Sequence, residues 1–159
     1  MFRIKLLILL SASFILFNCS TQSTKNTNDL KIGYIGGEED GLIFKNLLLA
    51  NLKASNIYNA NSHLLLDGNI NHSTSFYITN TDNTSDREQV KSSLKIKILN
   101  NQNNCTAYNF DEEVSQFYIV ASSTVFTSND AALEEIKKNN AENLIKMFIF
   151  DFSQSNLLC

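Results

Sequence analysis

Residues 86–101 read DREQVKSSLKIKILNN, and their pattern predicts the β-strand around which the other elements can be placed. Apolar and cationic side chains alternate through its centre, which is typical of a half-buried β-strand. We predict a strand over residues 87–99, followed by a turn at the asparagines, because asparagine tolerates the left-handed conformation. The positions expected on the core side are Val90, Leu94, Ile96 and Ile98.

The opposite face of the same strand carries cations. They are Arg87, Lys91, Lys95 and Lys97, and we call them the cation row. The row can be a solvated face that discourages edge pairing. It can also contact phosphate groups, for which lysine and arginine are natural partners. Without a family resemblance, the sequence favours a solvated cation row over a phosphate contact.

The region before this strand predicts a strand, a helix and a second strand. Residues 30–35 form the first strand, with Leu30, Ile32 and Tyr34 on one side. Alternation over residues 64–78 predicts a long strand. We expect it to bend or bulge near Asp67 and Gly68.

The helix between these strands covers about residues 40–54 and has a broad apolar stripe. The stripe comprises Ile43, Leu47, Ala50 and Ala54, widened by Phe44, Leu48 and Leu52.

A fourth strand is predicted over residues 106–126, with a bend as an option at the acidic residues 111–113. Residues 117–120 are apolar on both faces, which indicates a central or doubly covered strand. A last helix follows, capped by Thr127 or Ser128 and running to about residue 150. Its expected inner stripe is Leu133, Ile136, Leu144, Met147 and Phe148.

These elements predict an α+β fold of order β-α-β-β-β-α. Two helices pack on one face of a mixed four-stranded sheet, because each element must bury its apolar side against another layer. The first helix is a crossover between strands, and the last three strands are antiparallel neighbours.

The amino terminus predicts a lipoprotein signal. Arg3 and Lys5 form a basic head, an apolar run follows over residues 6–17, and Cys19 comes next. That run is too short to span a membrane, which takes about 20 apolar residues. The alternative is an ordinary secretory signal cut after Ser13, which would leave Cys19 as a free thiol.

On the lipoprotein reading the chain has three parts. Residues 1–18 are the lipoprotein signal peptide, residues 19–29 hold the lipidated Cys19 and a flexible polar tether, and residues 30–159 form a single α+β domain. Several acyl chains on one cysteine give stable anchoring, since each buried CH₂ contributes about 0.8 kcal/mol.

Net charge and cysteine content limit the classes of function that the protein can have. The formal charge is −3, and it falls to about −5 without Arg3 and Lys5, which argues against nucleic-acid binding. Cys105 and Cys159 would lie in an oxidising compartment, where they can form a disulfide or stay separate.

The sequence holds no motif for catalysis or for a metal. We find no nucleophile with a base and no phosphate-binding loop, and His63 and His72 have no ligand spacing with a cysteine. We therefore expect a protein that is not an enzyme, with no catalytic residues, no metal and no cofactor.

The whole layout resembles the LptE family of lipopolysaccharide-assembly lipoproteins. The most specific part is Asp86-Arg87, then Leu94, Ile96 and Ile98 at alternate positions and the asparagine turn. The last helix adds Asn140-Ala141 near a pair that is common in that family. The resemblance covers nearly all of the chain after Cys19.

The resemblance implies a lipid-anchored subunit of the outer-membrane lipopolysaccharide translocon, on the periplasmic side. Such a subunit plugs a large LptD-like β-barrel and assists its assembly. It also implies lipopolysaccharide binding, for which the cation row Arg87, Lys91, Lys95 and Lys97 is the candidate. The alternative is a generic periplasm-facing lipoprotein that binds another protein or a cell-wall component.

Overall fold

The computed structural model describes residues 28–78, 85–120 and 126–159. The elements are β1 (Leu30–Gly36), α1 (Glu38–Ala54), β2 (Leu64–Ile78), β3 (Ser85–Asn100), β4 (Cys105–Ile119) and α2 (Phe126–Gln154). This order confirms the predicted α+β fold. The predicted signal peptide, Cys19, residues 79–84 and the side chains that would cap α2 lie outside the described part.

The four strands form one sheet in the order β1-β2-β3-β4. β1 pairs with β2 in parallel, and the other two pairs are antiparallel, as predicted. The strand β3 is therefore a central strand, with a neighbour on each side. Its residues Val90, Leu94, Ile96 and Ile98 are at most 2% exposed, which confirms the predicted core face.

Both helices cover the same face of the sheet. Phe44, Leu48 and Leu52 of α1 join Leu144 and Phe148 of α2 in one apolar core with the inward side chains of the strands. We call the opposite face the outer face. In the described ranges no helix lies over it, and its side chains on β3 are exposed or half-buried.

The predicted helix stripes are partly wrong in phase. α1 buries Gly41, Phe44, Leu48 and Leu52, whereas Ile43 is 46% exposed. Gly41 sets this phase, because a Cβ there would lie 2.7 Å from the carbonyl oxygen of Gly36. Ala50 and Ala54, which the prediction placed inside, are also exposed.

α2 shows the same kind of difference. Leu144 and Phe148 are buried as predicted, but Met147 is 39% exposed. Ala141, Ile145 and Phe152 take up the rest of the buried stripe. These positions repeat at three or four residues, as expected for one face of a helix.

The predicted bulge lies in β1 and not in β2. The register between the two strands shifts between Ile32 and Ile35, while β2 pairs with β3 without a break from Leu64 to Tyr77. The extra residue turns Tyr34 to the outer face, where it is 75% exposed. The prediction that Tyr34 shares the side of Leu30 was wrong for this reason.

β4 is an edge strand, and it ends at Ile119. It pairs with β3 without a break through residues 108–119, so the acidic residues 111–113 lie within the strand and make no bend. Phe117 is 55% exposed and Ile119 is 78% exposed. The prediction of a central or doubly covered strand at residues 117–120 was wrong, because nothing described packs beyond β4.

The carboxyl terminus is fastened to the start of β4. Cys105 and Cys159 form a disulfide across a sequence separation of 54 residues, with their Cα atoms 6.7 Å apart. The backbone N–H of Leu158 donates to the carbonyl oxygen of Ala107 at 3.0 Å. Of the two alternatives that the sequence allowed for these cysteines, the structure therefore shows the disulfide.

The sheet has two different ends. The base holds Leu30, Leu64 and the disulfide, and the tip holds the last residues of β2 and β4. Base and tip are about 43 Å apart along β2, at the usual rise of a strand. β1 pairs with β2 only as far as Asn69, so the tip half of the sheet has three strands.

The first helix covers only one of these two halves. α1 has 17 residues and is about 25 Å long at 1.5 Å per residue, so it covers only the base half. In the described ranges no helix is long and apolar enough to cross a membrane.

Candidate functional site

The cation row lies on the outer face, as the alternation predicted. Arg87, Lys91, Lys95 and Lys97 are all exposed. The row is long, because Arg87 and Lys97 are about 34 Å apart at 3.4 Å per residue. A single phosphate group therefore cannot contact all four side chains.

Two of the four cations have carboxylate partners on β4. Lys91 Nζ lies 2.7 Å from Glu113 Oε2, and Lys95 Nζ lies 3.1 Å from Asp111 Oδ2. All four side chains are about half exposed or more, so each pair contributes well under about 1 kcal/mol to stability. The pairs still neutralise the middle of the row.

The tip of the sheet presents a cluster of large apolar side chains. On the outer face Tyr77, Phe117 and Ile119 are 44%, 55% and 78% exposed, and we call them the apolar tip. Phe76, 66% exposed, pairs with Glu88 and so lies on the opposite face. Tyr77 and Phe117 meet edge to face, with ring centroids 5.4 Å apart and planes at 68°. Contiguous exposed apolar surface of this kind marks an interaction site more often than isolated residues do.

Arg87 joins the cation row to the apolar tip. It is the cross-strand partner of Tyr77 on one side and of Ile119 on the other. Paired residues of neighbouring strands share a face and lie about 4.5–5.5 Å apart. The guanidinium of Arg87 therefore lies between apolar side chains. Such an arrangement can contact both the phosphate and the apolar part of a phosphorylated amphiphile.

The inner side of the tip is held by a polar pair. Glu88 is 7% exposed, and its carboxylate accepts a hydrogen bond from the hydroxyl of Tyr118. Burial, followed by this bond, raises the pKa of Tyr118 to about 12. Tyr118 therefore keeps its proton at neutral pH and fixes the end of β4 to β3.

Sequence reasoning missed the apolar tip. Periodicity identifies the side of a strand to which a residue belongs, but not whether another layer covers it. A usable signal was the predicted architecture itself. With both helices on one face, apolar residues on the other face of the sheet have no layer to pack against.

A second polar cluster lies between α2 and the sheet. Ser92 Oγ lies 2.6 Å from His72 Nδ1 and accepts a hydrogen bond from Asn140 Nδ2 at 3.0 Å. Ser92 and Asn140 are completely buried, so Ser92 is out of reach of any substrate. The cluster ties α2 to the middle of the sheet.

Burial also sets the protonation of this cluster. It lowers the pKa of His72, against the smaller opposing effect of Asp40. The lowered pKa favours the neutral form of the ring at pH 7. His63, in contrast, is exposed in the loop before β2.

No group of three His, Cys, Asp or Glu side chains in the described ranges could hold a metal ion. Cys19, the predicted lipidation site, lies before the first described residue.

Comparison with known proteins identifies the fold. No protein-family model matches this chain, and no curated protein matches its sequence. Among solved structures, the minor lipoprotein from Acinetobacter baumannii is similar with a TM-score of 0.59 at 12% identity, covering 82% of this chain and 93% of that one. Rare lipoprotein B from Shewanella oneidensis is similar with a TM-score of 0.54 at 12% identity, covering 77% and 94%. This chain therefore shares its fold with bacterial lipoproteins.

Proposed function

We propose that the protein is a lipid-anchored lipoprotein of the outer membrane, facing the periplasm, and a subunit of the lipopolysaccharide translocon. In this role it plugs an LptD-like β-barrel, assists the assembly of that barrel and binds lipopolysaccharide. Cys19 carries the lipid. The observation that carries the proposal is the apolar tip around Arg87, on a fold shared with bacterial lipoproteins.

The chemistry of the tip supports binding of a phosphorylated amphiphile. A guanidinium forms paired hydrogen bonds to phosphate oxygens. Beside Arg87, the exposed faces of Tyr77, Phe117 and Ile119 can cover acyl chains. Lipopolysaccharide offers both groups in one molecule.

The outer face supports the plug role. The interior of an outer-membrane β-barrel is polar, so a plug needs a polar surface. Before Tyr77, the exposed outward residues of β2 are small and uncharged: Asn69, Asn71, Ser73 and Ser75. Together with the neutralised middle of the cation row, they make a surface that suits a polar barrel wall.

The arrangement of the ends agrees with this role. The described chain begins at residue 28, next to the base. The anchor at Cys19 would thus hold the base near the lipid, while the apolar tip lies about 43 Å further along the sheet. This geometry lets the tip reach into a partner.

The alternative is a generic periplasm-facing lipoprotein that binds another protein or a cell-wall component. The ion pairs of Lys91 and Lys95 favour it, because cations with carboxylate partners have less need of a phosphate.

A charge-by-charge series tests lipopolysaccharide binding. We expect Arg87→Gln to weaken binding about tenfold, which corresponds to the roughly 1.5 kcal/mol of a hydrogen bond to a charged group. The matched control is Lys95→Gln, which should change the affinity less than threefold because Lys95 lies eight residues from Arg87 on the same strand, about 27 Å from the apolar tip. Replacing all four cations by Gln should weaken binding at least as much as Arg87→Gln. Binding of purified lipopolysaccharide by the full-length protein in detergent measures all three. Equal effects of Arg87→Gln and Lys95→Gln, or no effect of either, would refute a binding site at the tip.

A further inference from the structure

A shallow groove crosses the outer face toward the base, away from the apolar tip. Its volume is about 560 Å³, and all four strands contribute to it. The side chains that matter for its chemistry are Tyr34, Asp67, Asn69, Lys97 and Asn109. None of them belongs to the apolar tip.

The β1 bulge places the aromatic ring at this groove. The backbone N–H of Tyr34 donates to Asp67 Oδ1 at 2.7 Å in place of a strand hydrogen bond. Gly33 makes room for that carboxylate, since a Cβ on Gly33 would overlap it. Tyr34 is therefore held outward, 75% exposed. Bulges that re-aim a side chain are frequent next to functional sites.

The same hydrogen bond changes the electrostatics of the groove. Asp67 is the direct cross-strand partner of Lys97, yet its carboxylate turns to Tyr34. Lys95 is already paired with Asp111. Within the described ranges Lys97 has no ion pair, so its ammonium is available to an anion on the β3 side of the groove. The charges of Asp67, Lys95, Lys97 and Asp111 sum to zero.

These groups match the two surfaces of a sugar. A sugar ring has a face of C–H groups, which packs on an aromatic ring, and an edge of hydroxyls, which both donate and accept hydrogen bonds. Tyr34 supplies the ring. The amides of Asn69 and Asn109 supply donors and acceptors, and the open shape of the groove admits an extended chain.

We propose that this groove binds an oligosaccharide, with a sugar ring on Tyr34 and an acidic substituent at Lys97. Such a glycan has two sources in a bacterial envelope: the core of lipopolysaccharide and the glycan of peptidoglycan. The core of lipopolysaccharide carries acidic groups on its sugars, and a muropeptide carries carboxylates on the peptide attached to its sugar, so the experiment must separate them.

Saturation-transfer NMR on the full-length lipidated protein in detergent micelles provides the test. The probes are delipidated lipopolysaccharide core oligosaccharide and muramidase-released muropeptides, added separately. We expect saturation of sugar ring protons with one of them, and the responding probe identifies the source. Tyr34→Ala should lower the affinity for that probe at least tenfold, while Tyr34→Phe should change the affinity less than threefold because the ring is kept. Lys97→Gln should lower the affinity about threefold or more.

The matched control is Phe150→Ala, which removes an exposed aromatic ring from α2, away from the groove, and should leave glycan binding unchanged. Because Tyr34 is exposed, its substitution should also leave the circular dichroism spectrum unchanged. Lack of saturation with both probes, or unchanged binding in Tyr34→Ala, would overturn the assignment. Absence of a barrel partner would refute the proposed translocon role, whereas glycan binding is decided by the NMR experiment alone.

Discussion

Replacing Cys105 and Cys159 together by serine should lower the free energy of unfolding by about 4 kcal/mol. The disulfide closes a loop with a sequence separation of 54 residues, and the chain-entropy estimate for such a loop is about 4 kcal/mol. The disulfide also holds the tail whose Leu158 N–H pairs with Ala107. Losing it frees the start of the edge strand β4.

Urea denaturation monitored by circular dichroism measures this effect. The wild-type protein in reducing buffer is the matched control, and it should unfold at the same urea concentration as the double variant. A loss below about 1 kcal/mol would contradict a disulfide that constrains the unfolded chain.

Phe148→Ala should have a comparable effect, about 4 kcal/mol, through a different mechanism. Phe148 is completely buried, and its ring centroid lies 5.6 Å from that of Phe110 and 5.8 Å from that of Phe152. Truncation removes these contacts and leaves a cavity, and such changes cost about 3–5 kcal/mol. The helix α2 would lose its main contact with β4.

The control for this prediction lies two residues along the same helix. Phe150 is 67% exposed, so Phe150→Ala should change the unfolding free energy by no more than about 0.5 kcal/mol. Thermal or urea unfolding of both variants checks the pair. Similar losses for the two variants would mean that α2 packs on a different face.

The central strand β3 was predictable because its two faces differ so strongly. Lysine on one side and isoleucine or leucine on the other leave one assignment of faces. The asparagine turn was also predictable, and Asn104 does take a positive φ of 53°. Element order and sheet topology followed from these signals and from short polar connections.

The phase of α1 was harder to predict, because apolar residues surround most of that helix. Two overlapping stripes were possible, one through Ile43 and one through Phe44. The close approach of Gly41 to β1 selects the second. That contact joins residues on two elements, so periodicity within the helix cannot reveal it.

The candidate sites depend on contacts between strands. The cation row was visible in the sequence, but the neutralisation of Lys91 and Lys95 follows from the register of β4. Tyr34 turns outward because Asp67, on another strand, accepts its N–H. The apolar tip is exposed because the register of the strands places Tyr77, Phe117 and Ile119 on the outer face, opposite the helices.

Purification of the tagged full-length protein from its native envelope in mild detergent tests the central claim most directly. Partners that co-purify are identified by mass spectrometry. The translocon role predicts a large outer-membrane β-barrel in a one-to-one ratio with this protein. A preparation without any such barrel, or with a soluble periplasmic protein as the stoichiometric partner, would contradict it.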